Sequence, residues 1–168
     1  MTKLLLSLHV LAAILAIGPI TIAASMFPRY ARLPASSDAQ EANGQITAFL
    51  HKICRGYTVV GTAVPVLGVA TGARMGVLTD AWLLTSIALT AAAAALLLTV
   101  VLPGQARLLA QPADASGAGG TGTGVATHAM PELRSAAARL SMTTGMFNLL
   151  WAAVVVLMIV RPGSTTGA

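Results

Sequence analysis

Three histidines and a single cysteine carry most of the reactive chemistry available to this chain. His9 is the only ionisable side chain in the apolar stretch Leu4 to Met26. An imidazole there is a candidate ligand for haem b or copper, with Met158 as a candidate second metal ligand, or a candidate proton site. The competing reading is a histidine hydrogen-bonded to Thr85 or Ser86, which would hold two helices in register. His9 lies six residues from the middle of its stretch, about 9 Å from the midplane of a spanning helix. With alternating helix directions Thr71, Thr85, Ser86 and Val156 fall at the same level, and Met158 within about a turn of it. His51 precedes Cys54 by three residues, but no second Cys/His pair exists to complete a zinc site, and one cysteine forms no intrachain disulfide. Cys54 reads as a small buried residue, His51 as an interfacial side chain and His128 as part of a linker. Asn148, near the middle of an apolar run, reads as an interhelical hydrogen-bonder. There is no Gly-rich phosphate loop, no Gly-x-Ser-x-Gly elbow and no carboxylate inside an apolar run. A proton-coupled transporter would lack its usual acid, and any small-molecule transporter would need a polar cavity near Thr90 and Asn148.

The elements that position these residues are membrane helices. Apolar residues make up 56% of the 168 residues and charged ones 9%, against about a quarter charged in a water-soluble domain. Mean hydropathy is +0.80. The net charge of +5 comes from singly scattered Lys and Arg that make no basic face interleaved with aromatics, which argues against nucleic acid and for contact with anionic lipid.

The spacing predicts a first span at about 4–26, long enough as a helix (~34 Å) to cross a bilayer core. His9, Ala12, Ala13, Ala16, Ala23 and Ala24 form its small face, interrupted by Pro19, while Leu8, Leu11, Leu15 and Ile22 form a bulky lipid-facing stripe. Arg29 and Arg32 follow, so the span reads as an anchor rather than a cleaved leader. Ser37 and Asp38, followed by Gln40 and Glu41, form a capping box that opens the next helix. Its apolar part is 56–73, with Gly61, Pro65, Gly68 and Gly72 on one face and a kink expected at Pro65. Asp80 is placed to cap the third span, 81–102, whose inner face is Ser86, Thr90 and Ala93 and whose stop is Pro103-Gly104. Residues 111–131 read as a flexible Gly-rich linker. A polar turn then leads into the fourth span, 140–160, where Ser141, Gly145, Asn148 and Ala152 share one side.

The residues Leu8-His9-Val10-Leu11, Gly18, Pro28-Arg29 and Leu157-Met158-Ile159-Val160-Arg161-Pro162-Gly163 resemble a family of small bacterial membrane proteins with four predicted helices, known only as a domain of unknown function. The first-helix pattern is also similar to CopD-type copper-resistance proteins and HemJ-type protoporphyrinogen oxidases. That likeness implies a haem or metal role for the histidine matching His9. The chain has Ala16 and Ile17 where those families often carry an aromatic, and no lysine in the third span.

The expected architecture is an all-α, four-transmembrane-helix bundle forming a single integral membrane domain. Lys and Arg number seven in the first and third connections and three elsewhere, which predicts a bacterial cytoplasmic membrane protein with both termini outside. The expected function is that of a non-enzymatic accessory or interaction protein whose partners are the bilayer and a second copy or another membrane protein. The alternatives are a haem b- or copper-binding redox protein using His9, and a small-molecule transporter.

Overall fold

The computed structural model describes residues 2–31, 37–110 and 125–163. It contains helices α1 (Thr2–Tyr30), α2 (Ser37–Gly61), α3 (Ala63–Met75) and α4 (Ala81–Leu96), a π-helical turn (Leu97–Val101), α5 (Leu102–Ala110) and α6 (Val125–Val160). Arg32, the side chains of the capping box before Glu41, the linker up to residue 124, the side chain of His128 and the chain after Gly163 lie outside what is described. Four helical stretches are long and apolar enough to cross a membrane: Thr2–Tyr30, Glu41–Met75, Ala81–Ala110 and Arg134–Val160.

The first span packs along α2 and α3 and also touches α6, while α6 packs along α4 and α5 meets α2. The result is an up-and-down bundle of four spans. Its core includes Ile20, Ala23, Ala24, Phe27, Cys54, Ala93, Val101 and Phe147. On α1 the buried residues are His9, Ala16, Ile20, Ala23, Ala24, Phe27 and Pro28. Leu8, Leu11, Leu15 and Ile22 face outward, as the small-versus-bulky pattern predicts.

Proline explains two departures from straight helices. Pro65 has no N–H to give the Gly61 carbonyl, and the second span breaks between Gly61 and Ala63. Pro103 does not end the third span as expected. The chain widens into a π turn, in which the Leu102 N–H bonds the Leu97 carbonyl, and continues helically to Ala110. A wide turn just before the ring accommodates the donor that Pro103 lacks. At the other end of the linker α6 begins at Val125, six residues before Pro131, within a run free of glycine.

Gly76 ends α3 with φ 71°, and the Val77 N–H bonds the Gly72 carbonyl, a turn that favours glycine. Asp80 stands at the start of α4, but its side chain does not cap the backbone. It accepts instead from Trp82 Nε1 at 3.0 Å, and Arg161 lies 5.5 Å from the Trp82 ring centre. This cluster pins the start of the third span to the end of the fourth.

The fourth span closes the bundle with an unexpected face. Ala137, Leu140, Thr144, Phe147 and Val154 are buried, whereas Ser141, Gly145 and Ala152 are exposed. Bulky residues fill the space there because α6 meets alanine-rich α4.

Glycine contacts set the spacing of the second span. A Cβ at Gly72 would fall 2.8 Å from Leu83 Cδ2 and 3.3 Å from Leu78 Cδ2. Replacing Gly72 with Val is therefore expected to lower stability by roughly 1–3 kcal/mol. Thermal unfolding of the detergent-solubilised protein measures it, and a Leu83→Ala background should recover part of the loss.

Candidate functional site

His9 is 7% exposed. Its Nδ1–H donates to the Val64 carbonyl at 2.9 Å, across from α1 to α3. A carbonyl can only accept, so Nδ1 carries a proton. The ring rests on Gly68, where an added Cβ would lie 2.9 Å from Cε1 and 3.4 Å from Nδ1. Gly68 is thus the seat of the histidine.

The expected partners Thr85 and Ser86 do not meet it. Their hydroxyls turn back to the Ala81 and Trp82 carbonyls at 2.7 and 2.8 Å. Thr58, Thr71, Thr90, Thr99 and Thr143 bond their own helices in the same way. A helical hydroxyl always has the carbonyl four residues back within reach, so it has little need of a neighbouring helix. Asn148 does cross between helices, with Nδ2 donating to Ser25 Oγ at 3.2 Å.

A second polar group lies toward the other end of the bundle. His51 Nδ1–H donates to Gln105 Oε1 at 3.0 Å. Gln105 Nε2 in turn points to Cys54 Sγ at 3.6 Å, and the Cys54 thiol faces the Ile20 carbonyl at 4.0 Å. Gln105 and Cys54 are both fully buried, so α1, α2 and α5 are joined through one amide. Sequence reasoning missed Gln105 because Pro103-Gly104 reads as a helix stop, which places it in a connection. An amide a few residues beyond an apolar run was the available signal.

Two cavities among the described residues bear on the site. One, of about 130 Å³, touches every span and includes Ile20, Gly61, Pro65, Thr90, Leu97 and Trp151 in its walls. The Gly61 break and the π turn both border it, and the buried Trp151 Nε1–H has no partner. Trp151 packs edge-on against Phe147 with centroids 6.4 Å apart. The second, of about 420 Å³, is a crevice between α4–α5 and α6 flanked by Arg107 and Arg139. Neither cavity includes His9 in its walls. Among the described residues no group of three or more His, Cys, Asp and Glu could hold a metal ion.

Four apolar helices, their outward faces rich in leucine, valine and isoleucine and most of their polar side chains bonded between or within helices, define a multi-span integral membrane protein. Residues 3–162 match the family model described as predicted integral membrane protein (DUF2269). The chain belongs to that family. No curated protein and no solved structure matches it, and the likeness of its first helix to CopD-type and HemJ-type proteins finds no support there.

Gly68→Ala is expected to displace the His9 ring and lower stability by roughly 1–3 kcal/mol. In a double-mutant cycle with His9→Ala the two losses should be clearly less than additive. For the second cluster, Gln105→Leu should cost on the order of 1 kcal/mol, with His51→Ala adding little to it in the same unfolding measurement.

Proposed function

We propose that this protein is a non-enzymatic accessory protein of the bacterial cytoplasmic membrane that docks a partner helix, from a second copy or another membrane protein. The carrying observation is the outer face of α4 and the π turn. Thr85, Ala88, Ala92, Ala95 and Thr99 recur at three- and four-residue steps, and all five are exposed. Bulky aliphatic residues suit lipid, while small ones permit the close backbone approach that drives helix association in a bilayer. Exposed Ser141, Gly145 and Ala152 extend this character to the neighbouring span. The seven-to-three distribution of Lys and Arg supports external termini.

The test is association of labelled full-length protein in proteoliposomes, followed by energy transfer across a range of protein-to-lipid ratios. Ala88→Leu/Ala92→Leu should weaken self-association by about tenfold or more, since filling a close-packed face forfeits its contacts. Unchanged association would point to a different partner, tested by cross-linking from position 92 in intact membranes. Absence of any cross-link there would sink the reading.

One observation favours a redox or metal-handling alternative. With Nδ1–H committed to a carbonyl, a neutral His9 carries its lone pair on Nε2, the arrangement that ligating histidines use. A haem macrocycle fits poorly, because the ring is pressed against Gly68 and the cavities lie elsewhere. A single copper ion shared with Met158 makes a smaller demand. An absorption spectrum and a metal assay of protein purified from haem- and copper-replete cells, beside His9→Ala, decide it. A Soret band or stoichiometric copper lost in the variant would establish the alternative.

A further inference from the structure

The crevice between the third and fourth spans is built unlike the rest of the surface. Its walls run antiparallel, from Thr99 to Arg107 on one side and from Ser135 to Thr143 on the other. Each wall is nine residues long, about 12 Å of helix from first to last. Gly104 allows Leu140 to form the floor, since a Cβ at Gly104 would lie 3.1 Å from Leu140 Cδ1.

Polarity changes along this length. At the deep end Thr99 and Thr143 have already given their hydroxyl hydrogens to the Ala95 and Arg139 carbonyls, so mainly methyl groups remain. Arg107 stands at the outer end and Arg139 midway along its wall; both are exposed, and neither guanidinium has a partner among the described residues. Among the described residues no acidic side chain lines the crevice. A soluble anion would engage the arginines and leave the deep half empty. An apolar chain alone would fill the deep half and leave two cations uncompensated at the edge of a low-dielectric region. An amphiphile with an anionic head satisfies both ends.

We propose that this crevice is a binding site for an anionic phospholipid, with its phosphate between Arg107 and Arg139 and an acyl chain running inward past Leu140 toward Thr99 and Thr143. Basic pockets between spans are suited to such head groups, and guanidinium groups bind phosphate through paired N–H donors. The crevice shares Thr99 with the helix-docking face, but its arginines and Leu140 lie outside that face, so the test of one does not decide the other.

The test uses full-length protein in a neutral detergent, titrated with short-chain phosphatidylglycerol, short-chain phosphatidylcholine or inorganic phosphate, with thermal stabilisation as the readout. Phosphatidylglycerol should stabilise and phosphatidylcholine should not. Arg107→Gln or Arg139→Gln should weaken the apparent affinity about fivefold each, and the double variant on the order of thirtyfold, from about 1 kcal/mol per basic residue at a membrane surface. Arg74→Gln, at the opposite end of the bundle, should leave it unchanged. Ala136→Leu keeps every charge but narrows the crevice, and it should weaken binding as well. The proposal is overturned if the two lipids act alike, if Arg74→Gln matters as much as the double variant, or if Ala136→Leu binds normally. Equal stabilisation by inorganic phosphate would overturn it too, by making this a soluble-anion site.

Discussion

Inside a bilayer two apolar helices gain nothing by hiding from their surroundings, so their association rests on how closely their backbones approach. In this protein that closeness is concentrated on the second span. Gly68 admits the His9 ring from the first span, and Gly72 admits Leu83 from the third. The two glycines are four residues apart, so a single helix face organises three spans. The His9 bond to Val64 depends on that geometry, because a methyl group at Gly68 would push the ring away.

The backbone irregularities follow from a second constraint, that a backbone polar group in hydrocarbon is costly to leave without a partner. Pro65 breaks the second span and Pro103 forces a wide turn in the third. The 130 Å³ cavity borders both, placing the imperfections of two helices in one protected region. Most threonine hydroxyls bond within their own helices, while His9, His51, Cys54, Gln105 and Asn148 carry side-chain contacts from one span to another.

The outer surface is equally differentiated. Most of it is leucine, valine and isoleucine suited to lipid tails, one stripe of alanine and threonine is suited to another helix, and one crevice has cations at its mouth. These outward-facing features sit on the third and fourth spans, while the His9–Gly68 contact holds the first to the second, and Gly72 and His51 tie the second to the third.

Helix number, the lipid-facing stripe of the first span and the burial of His9 were legible in the chain, because hydropathy and side-chain size act locally and repeat with the helical period. The contact role of Gly68 and Gly72 was legible for the same reason. The partner of His9 was not: depth alone put Thr85 and Ser86 level with it, and only packing reveals that a backbone carbonyl is nearer and that those hydroxyls are already committed. Gln105 was hidden because a proline reads as a stop unless the turn before it widens, which is a property of the folded chain. The buried face of the fourth span was decided by its neighbour. Alanine-rich α4 leaves room for Phe147 and Trp151, so the large residues turn inward and the small ones outward. Local chemistry determined that these segments cross the membrane, and mutual packing determined which face each one hides.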